Sequence, residues 1–402
     1  MKVILGLNAI HRDGMGSVAV TLLRALRAEG IEAVALHAWR EIDLPGYEAE
    51  FAPRFVEGLA EYRVDGEAIA RLVAAVDALA DEGDVFIHTG SPNWAACIPY
   101  FKGGVRVVTG VHNINPSTLK LCRAFANRVS AFVCVSYGVR SYFQKWLPRA
   151  LWKRIYVIAN AVDFVKVAKA DYTPHKPLRV VYTGRIEDTS KGCGKLPLIF
   201  AELKRRGVAV ELDLYGYFHN WETQFWRMVA CEGVEEIIHY CGEINHSELS
   251  QRLIMYDVFI VPSNIDGFNL SLAEAMMAGL PCVSSSIMGV TEWLLDGGAA
   301  GLLVEKMDIQ GFADALERLS KEPGLAEKLG RAARARISEL ASFEAHGRAY
   351  EQLFRMVSAS QEGVVPPQVL DAARYVFPSC LKPWGPARLL PTWLKTWLRR
   401  FM

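Results

Sequence analysis

The sequence lacks the usual marks of a metal centre or a disulfide framework. None of its 8 cysteines forms a C-x-x-C pair, cysteine and histidine show no metal-ligand spacing, and there is no Asp-x-Asp motif. Several cysteines lie inside apolar runs, as Cys134 does in AFVCVS, which is typical of buried, reduced thiols in a cytosolic protein. We therefore expect neither a bound metal nor a cofactor.

A strong net charge is also missing, and so is a long apolar run. The 45 basic residues nearly balance the 44 acidic ones, which leaves a net charge of +1 and no general attraction to nucleic acid. No apolar run is long enough to span a bilayer, and the N-terminal MKVILGLNAI is too short for a signal-peptide core. These absences predict a cytoplasmic protein with no nucleic-acid partner.

What the chain does contain is ample material for two hydrophobic cores. Of its 402 residues, 51% are hydrophobic and 22% are charged, and this length favours two domains. Short apolar runs alternate with amphipathic helical patterns, which predicts parallel sheets covered by helices on both faces. The pattern runs from KVILGL to IYVIAN, pauses at the polar KADYTPHKP, which indicates a linker, and restarts from LRVVYTG to LPCVSSS.

We therefore predict an α/β fold in which two Rossmann-like domains face each other across a cleft. Residues 1–165 would form an N-terminal acceptor domain and residues 166–345 a C-terminal donor domain. Residues 346–402 would supply a helix that crosses back, followed by a basic tail rich in tryptophan. Because open α/β sheets bind ligands at the carboxyl ends of their strands, we expect the site in the cleft.

Two features of the first half follow predicted strands. Gly14 and Gly16 open a helix after the first strand, and its N-terminus could hold a phosphate. Together with Ala19 and Glu41 they also satisfy the fingerprint of an NAD-dependent oxidoreductase, which is one alternative. His112 ends another strand, where it is either a structural hydrogen-bonding residue or a member of the site.

Cationic side chains follow the first strand of the second half, in VVYTGRIEDTSKGCGKL. Gly184 ends this strand, Arg185 follows at once, and Lys191 and Lys195 come shortly after. Two cations at the carboxyl end of a parallel strand can neutralise a diphosphate. The alternative is a solvated loop with no specific ligand.

Two carboxylates flank a predicted helix start in IDGFNLSLAEAMMAGLPC. One interpretation of Glu274 is a capping box with Ser271. The other is that Asp266 and Glu274 accept hydrogen bonds from sugar hydroxyls while a diphosphate lies at the helix start. This second arrangement suits a nucleotide-sugar. The backbone N–H groups that would meet the diphosphate belong to Gly267, Phe268, Asn269 and Leu270.

These segments resemble the retaining glycosyltransferases of family 4, which have the GT-B fold. The segment DGFNLSLAEAMMAGLPCVSSSIMGVTEWL is similar to the family's E-G-F-G-x-x-x-x-E-A-M-A-x-G-x-P-V followed by G-G-x-x-E. VVYTGRIEDTSKG resembles G-R-x-x-x-x-K-G, and VIANAVD resembles V-I-x-N-G-V-D. FVCVSYGVRSYF and GMGSVAVTLLRALRAEG are similar to two helix starts of the family. The resemblance covers about residues 1–355.

The resemblance implies a role for each candidate residue. Glu274 would bind the ribose of the donor, and Asp266 would contact the transferred sugar. Arg185 and Lys191 would bind the diphosphate, and His112 would lie near the sugar and the reacting bond. The other implied donor-binding positions are Gly16, Gly184, Gly242, Ile244, Gly267, Phe268, Asn269 and Leu270.

Three departures from the family's motifs stand out. Asp266 replaces the usual Glu, and Asn269 replaces a Gly, although Asn tolerates left-handed backbone better than most residues. These two changes could alter the preference for the donor sugar. Lys191 lies one residue later than usual, which leaves Lys195 as a rival for its role.

The implied activity is that of a metal-independent hexosyltransferase. It would move a sugar from a nucleotide-diphosphate sugar, with UDP favoured by its frequency in the family, to an acceptor hydroxyl with retention of configuration. Cell-surface glycan or glycolipid assembly is the expected setting. The remaining alternatives are a nucleotide-sugar epimerase or sugar phosphorylase of the same fold, and a non-catalytic sugar-binding protein.

The last segment, CLKPWGPARLLPTWLKTWLRRFM, is rich in proline, tryptophan and basic residues. From Pro391 it can form a short helix with Trp393 and Trp397 on one side and Lys395 and Arg399 largely on the other. Such a helix suits an anionic membrane surface. We therefore expect the enzyme on the inner face of the cell membrane, near a glycan or lipid-linked acceptor. The alternative is that these tryptophans pack on the first domain.

Overall fold

The computed structural model describes residues 1–11, 14–59, 65–162 and 167–378. The chain divides into two compact units. Unit 1 comprises Met1–Ala161 and Phe343–Met402, and unit 2 comprises Val162–Ser342. The predicted membrane-binding helix, which begins at Pro391, lies outside the described residues.

Unit 1 is built on a parallel sheet of seven strands. Its strands are β1 (Lys2–Leu7), β2 (Glu32–His37), β3 (Arg54–Phe55), β4 (Val85–His88), β5 (Arg106–Val111), β6 (Ala131–Cys134) and β7 (Ile155–Val157). Their order is β3-β2-β1-β4-β5-β6-β7. Six of them match the predicted apolar runs, whereas β3 has only two residues and is too short to show a period.

Helices of unit 1 cover both faces of this sheet. They are α1 (Gly14–Ala28), α2 (Tyr47–Phe51), α3 (Gly66–Leu79), α4 (Pro92–Cys97), α5 (Pro116–Arg123) and α6 (Tyr137–Gln144), with 3-10 turns at Ile98–Tyr100, Ala126–Arg128 and Arg149–Arg154. The amphipathic pattern of residues 18–28 and 68–79 predicts α1 and α3, each of which begins two to four residues earlier in the structure. The helices α4 and α5 begin with proline and have fewer than nine residues each. They therefore contain too few turns to show a helical periodicity in the sequence.

Unit 2 has the same architecture as unit 1, with a parallel sheet of six strands. Its strands are β8 (Leu178–Thr183), β9 (Val210–Tyr215), β10 (Ile238–Tyr240), β11 (Val258–Val261), β12 (Cys282–Ser285) and β13 (Leu302–Val304), in the order β10-β9-β8-β11-β12-β13. Its helices are α7 (Lys195–Arg205), α8 (Glu222–Glu232), α9 (His246–Leu253), α10 (Leu270–Met277), α11 (Thr291–Leu294), α12 (Ile309–Lys321) and α13 (Leu325–Ala341), with a 3-10 turn at Asp296–Gly298. Among these strands, β13 alone was not predicted.

One further helix, α14 (Phe343–Ala359), follows unit 2 in the sequence and belongs to unit 1. Its buried side chains Tyr350, Leu353 and Phe354 share one hydrophobic core with Val108 and Val133 of the sheet. Helix α14 therefore covers the same sheet face as these two valines. This packing explains the amphipathic pattern of the helix.

In each unit the strand order reverses at one point. The reversal lies between β1 and β4 in unit 1 and between β8 and β11 in unit 2. Loops that leave two such strands run in opposite directions, which opens a crevice at their carboxyl ends. The loops after β1, β8 and β11 carry most of the candidate residues, so the topology places them where an open sheet binds ligands.

The stretch predicted as a linker, residues 169–177, is part of unit 2. Lys169 is buried and its Nζ donates a hydrogen bond to the Tyr256 carbonyl at 2.7 Å. The Tyr172 hydroxyl donates to the Gly279 carbonyl at 2.9 Å. The linker prediction is therefore wrong, because these polar side chains find partners that composition alone cannot reveal.

All seven described cysteines are free thiols. Five of them are buried, whereas Cys231 and Cys241 are exposed. Burial raises the pKa of Cys122 to about 12 and that of Cys193 to about 11, so these two thiols are protonated at neutral pH. The described cysteines agree with the reduced state predicted from the sequence.

Two features are absent from the described residues. None of their helices combines the length and the apolar composition that a bilayer crossing needs. Nor do residues 1–11, 14–59, 65–162 and 167–378 contain three His, Cys, Asp or Glu side chains grouped so that they could hold a metal ion.

Candidate functional site

Three glycines lie side by side at the carboxyl ends of β8, β9 and β10. The Gly184 N–H donates to the Tyr215 carbonyl at 2.9 Å, and the Gly216 N–H donates to the Gly242 carbonyl at 2.9 Å. Gly216 has φ 139, and a Cβ added to it would lie 1.9 Å from the Gly184 oxygen. Only glycine fits there. Sequence reasoning missed Gly216, although it follows β9 just as Gly184 follows β8.

The loop after β8 is folded around a buried carboxylate, that of Glu187. Glu187 accepts hydrogen bonds from the backbone N–H groups of Ser190 at 3.1 Å and Lys191 at 3.0 Å, and from the Ser190 hydroxyl. Burial opposes its ionisation, but these hydrogen bonds and the charge of Arg185 outweigh burial and hold the pKa of Glu187 below its ordinary value. Buried hydrogen bonds therefore hold this loop in place, and it is not a freely solvated run of charges.

Arg185 is tied to this loop and still reaches solvent. Its Nη2 donates to the Ser190 Oγ at 3.2 Å and lies 3.6 Å from a Glu187 oxygen. The side chain remains 41% exposed. The guanidinium is thus oriented by two contacts and keeps donor capacity for an anion.

Lys191 and Asp266 form an ion pair between the loops after β8 and β11. The Lys191 Nζ lies 3.0 Å from both carboxylate oxygens, and the Asn269 Nδ2 donates to the same carboxylate at 2.9 Å. The side chains of Lys191 and Asp266 are only 18% and 13% exposed. Adjacent strands bring these two loops together, and the charges are 75 positions apart in sequence.

Lys195, the rival of Lys191, is engaged elsewhere. Its Nζ donates to the Asn264 Oδ1 at 2.7 Å and to the Lys306 carbonyl at 2.8 Å. The residue is 4% exposed, and burial lowers the pKa of its amine to about 8. Lys195 therefore ties three loops together, whereas Lys191 holds the site carboxylate.

The start of α10 is capped by Asn269 and not by Ser271. Asn269 has φ 71, in the left-handed region, and its Oδ1 accepts from the Leu272 N–H at 3.0 Å. The Ser271 hydroxyl donates to the same oxygen at 3.2 Å. The capping-box interpretation of Glu274 is therefore wrong, and the expected tolerance of Asn269 for left-handed backbone is confirmed.

Glu274 lies inside α10 with a specific neighbour. It is 7% exposed, and its Oε1 lies 3.2 Å from the Nε2 of His246, the first residue of α9. His246 is itself 48% exposed. Sequence reasoning missed this histidine, although it lies just past Gly242 and the half-buried Ile244 in the loop expected beside the base.

The residues between Asp266 and α10 differ in what they can offer a ligand. Phe268 is 4% exposed and packs edge-on against Trp293, with ring centroids 6.4 Å apart. Its side chain is therefore part of the core, and only its backbone is suited to contact a ligand. Gly267 and Leu270 are half-buried on either side of it.

In unit 1, Gly16 and His112 follow two different strands, Gly16 in the helix after β1 and His112 in the loop after β5. Helix α1 begins at Gly14, after β1, and Gly16 is buried in its first turn. His112 follows β5 and is half-buried. Burial lowers the pKa of His112 to about 4, so its ring is neutral near pH 7.

The candidate residues thus form two groups. Within unit 2, hydrogen bonds connect Arg185, Lys191, Asp266 and Asn269, and Glu274 follows in the helix that Asn269 caps. Unit 1 carries the other two, Gly16 and His112.

Two parallel-sheet units of this kind define the Rossmann-like GT-B fold class, and comparison with known proteins agrees. A sucrose-phosphate synthase from Thermosynechococcus elongatus superimposes with a TM-score of 0.73 over 89% of this chain and 100% of its own, at 18% identity. An Anabaena protein, HepE, in complex with UDP gives 0.73 over 89% and 100%, at 14% identity. At such identities the likeness shows the fold.

The sequence matches two family models, one in each half. Glycosyltransferase Family 4 matches residues 12–166, and Glycosyl transferases group 1 matches residues 177–322. The chain therefore belongs to glycosyltransferase family 4. The oxidoreductase alternative, which depended on Gly14, Gly16, Ala19 and Glu41 alone, loses its basis.

Curated relatives match this chain over part of its length. An amylovoran biosynthesis glycosyltransferase of Erwinia amylovora is 31% identical over 185 residues, which are 44% of this chain. The glycogen synthase of Mycobacterium tuberculosis is 29% identical over 187 residues, or 46% of this chain. In both matches the chain spans 44% of the relative's length.

Proposed function

We propose that this protein is a retaining glycosyltransferase that transfers a sugar from a nucleoside-diphosphate sugar to an acceptor hydroxyl. One observation carries the proposal, namely the buried pair of Lys191 and Asp266, with Arg185 held on the same loop as Lys191 through Ser190. These cations and this carboxylate lie at the carboxyl ends of β8 and β11, where the strand order reverses. The cations can neutralise the negative charge of a leaving diphosphate, and the carboxylate can accept a hydrogen bond from a sugar hydroxyl.

In the proposed reaction the cations stabilise charge that develops on the leaving group. The bond between the anomeric carbon and the diphosphate oxygen breaks, and a bond to the acceptor oxygen forms on the same face. The acceptor proton passes to the leaving phosphate, so no protein nucleophile is needed. Arg185 and Lys191 would meet the diphosphate as its charge grows, and preorganised charges of this kind lower the barrier.

The carboxylates serve the two sugar rings of the donor in this proposal. Asp266 accepts from a hydroxyl of the transferred sugar, and its pairing with Lys191 offsets its repulsion of the nearby diphosphate. Because Asn269 caps α10, Glu274 is not needed as a cap, and it accepts hydrogen bonds from the ribose hydroxyls. In this proposal His246, which lies beside Glu274 and is 48% exposed, faces the nucleoside side of the donor.

UDP is the nucleotide that we propose for the donor. The Anabaena protein was solved with UDP, and the pneumococcal O-GlcNAc transferase GtfA was solved with UDP and GlcNAc. For the acceptor we propose a growing surface glycan. Two curated relatives are named for biosynthesis of amylovoran and of colanic acid.

A thermal-stability and transfer assay tests this proposal. UDP at about a hundred times its Kd should stabilise the protein by about 2.7 kcal/mol and raise Tm by several degrees. GDP and ADP should give smaller shifts. With the matching UDP-sugar, transfer should persist in excess EDTA, and the product should keep the donor's anomeric configuration by NMR.

The arms of this assay separate the parts of the proposal. Loss of transfer in EDTA, restored by manganese, would contradict metal independence and leave the transferase assignment intact. Inversion at the anomeric carbon would contradict retention. Binding of a nucleotide-sugar that is converted to an isomer, without transfer, would replace the transferase by an epimerase.

We also propose that the C-terminal tail holds the enzyme at the cytoplasmic face of a membrane. The support is its sequence, in which tryptophans alternate with basic residues on a short amphipathic segment. Each lysine or arginine near an anionic surface contributes roughly 1 kcal/mol. The full chain should float with anionic liposomes at low salt, and a truncation after Ser379 should not. Equal flotation of both proteins, or of neither, would exclude the tail as the anchor.

A further inference from the structure

Unit 1 contains a cavity that lies away from its candidate site residues. The cavity has a volume of about 480 Å³ and is lined by residues of the segments that precede β5, β6 and β7. It therefore lies at the amino ends of these strands. Gly16 and His112 lie at the opposite edge of the parallel sheet, where the strands end. The cavity is thus separate from the residues that the proposed reaction uses.

The lining of the cavity is mostly apolar. Its large apolar members are Pro99, Phe125, Trp146, Leu147, Leu151 and Val365. Trp146 is half-buried and Val365 is 42% exposed, so both keep surface for a ligand. The buried guanidinium of Arg128 donates to the carbonyls of Phe101 at 3.0 Å and Gly363 at 3.1 Å, and so it supports the wall. An apolar cavity of this size suits a hydrocarbon chain.

The part of the chain around the cavity is basic throughout. Residues 85–162 contain ten lysines and arginines and no aspartate or glutamate, although the whole chain has 44 acidic residues. Arg123 lines the cavity, and Lys145 and Arg149 flank the lining residues 146–148 in sequence. All three side chains are exposed. An anion that approaches the cavity therefore meets positive charge.

Acidic residues from other parts of the chain do not neutralise these three cations. Glu362, in the segment after α14, forms ion pairs with Lys153 and Arg154. Asp77 accepts a hydrogen bond from the Lys102 N–H at 3.0 Å. Within the described ranges the three cavity cations form no ion pair, and two of them contact aromatic rings instead. Their charge is available to a ligand.

The segment after α14 passes the cavity on its way to the C-terminal tail. Gln368 lines the cavity, and its N–H donates to the Pro99 carbonyl at 2.9 Å. Further along, the Tyr375 ring lies 6.3 Å from that of Tyr100, the neighbour of Pro99. Val369, between these two contacts, is 95% exposed. The basic, tryptophan-rich tail begins a few residues later, so it can reach the same surface as the cavity.

We propose that this cavity binds an acyl chain of an anionic phospholipid, with the lipid phosphate among Arg123, Lys145 and Arg149. The charges alone would suit any polyanion, but a nucleic acid or an acidic polysaccharide has no hydrocarbon chain to fill an apolar cavity. Stable attachment to a membrane takes two signals, because one buried chain holds a protein only weakly. The cavity supplies one signal and the tail the other. The inference does not depend on the transfer reaction.

A lipid that is not in a membrane tests the cavity separately from vesicle binding. Calorimetry on the full chain should show that lysophosphatidylglycerol binds below its critical micelle concentration, and that glycerol 3-phosphate, which lacks the acyl chain, does not. Ala126→Trp fills the cavity from a half-buried lining position and should abolish lysolipid binding. Trp146→Ala should weaken it about tenfold. The control Trp226→Ala changes a half-buried tryptophan of α8 and should leave the affinity unchanged.

Vesicles test the three cations in the same full chain. Their joint replacement by glutamine should weaken binding to vesicles of equal parts phosphatidylglycerol and phosphatidylcholine about a hundredfold at low ionic strength, since each cation contributes about fivefold. Vesicles of phosphatidylcholine alone should bind neither protein. A matched control removes as many positive charges from exposed positions elsewhere, through Arg227→Gln, Lys328→Gln and Arg348→Gln. Its vesicle binding should equal that of the unmodified chain.

Three results would overturn the inference. One is lysolipid binding that Ala126→Trp leaves unchanged, which would place the lipid outside the cavity. Another is an equal loss of vesicle binding in the cavity variant and its charge-matched control. The third is binding of heparin, lost with the three cations, in a protein that binds no lysolipid, which would replace the lipid by a polyanion. Should Ala126→Trp fail to fold, Trp146→Ala against Trp226→Ala decides the first point.

Discussion

Replacement of Arg185 by alanine is expected to lower kcat about a hundredfold while the protein stays folded. The guanidinium is 41% exposed and contacts only Ser190 and Glu187 by hydrogen bond or ion pair in the described structure, so its loss removes little from the core. A cation that stabilises a leaving group is worth on the order of 3 kcal/mol in the transition state. Single-turnover rates with saturating donor, and Tm measured beside them, provide the check.

A second cation variant serves as the control for this experiment. Arg205→Ala removes the same charge from a side chain that is 70% exposed on α7, and Glu202 keeps its second partner, Arg206. Its activity should remain near that of the unmodified enzyme, since exposed ion pairs contribute little. Near wild-type rates in a folded Arg185→Ala enzyme would refute the assignment of the leaving-group site.

The third cation variant, Lys195→Met, distinguishes the two lysines. Because the Lys195 amine donates to Asn264 and to the Lys306 carbonyl, its loss should destabilise the fold by about 1–3 kcal/mol. Lys191→Met should instead appear mainly as a lower kcat. A large loss of kcat in Lys195→Met with an unchanged Tm would transfer the diphosphate-binding role to Lys195.

Replacement of Glu274 by alanine should also remove most of the activity, by about a hundredfold in kcat/KM. A hydrogen bond to a charged group contributes about 1.5–3 kcal/mol, and a ribose offers two hydroxyls to one carboxylate. Glu274 does not cap α10, because Asn269 does, so the helix start should survive the change. Donor KM, kcat and Tm should be measured together.

The glutamine variant distinguishes a role of Glu274 in helix capping from a role in ribose binding. Glu274→Gln keeps the shape of the side chain and removes its charge, so a role in capping would leave activity intact, whereas binding of the ribose would not. Glu248→Gln, at an exposed acid in the first turn of α9, controls for the loss of one negative charge near His246. Full activity in Glu274→Gln would contradict the ribose-binding role.

Much of the fold could be predicted because parallel strands buried on both faces are continuous apolar runs. Most strands from β1 to β12 appeared in this way, whereas β9 alternates apolar and acidic residues, β10 is buried only at Ile238, and β3 was missed. The two-residue β3 and the partly exposed β13 carry too little apolar signal to be found. The polar stretch at residues 169–177 was misassigned, since the burial of Lys169 depends on a carbonyl 87 positions away.

The sequence by itself determined the types of charge, their order and the strands they follow. It thus identified the family and gave Arg185, Lys191, Asp266 and Glu274 as candidate site residues. Only the tertiary structure decided their pairing: which lysine meets Asp266, which residue caps α10, and that His246 lies beside Glu274. The physical reason is that a hydrogen bond or ion pair depends on angstrom-scale distances between atoms on different loops. Those distances follow from strand order and register, which the composition and periodicity of one segment do not contain.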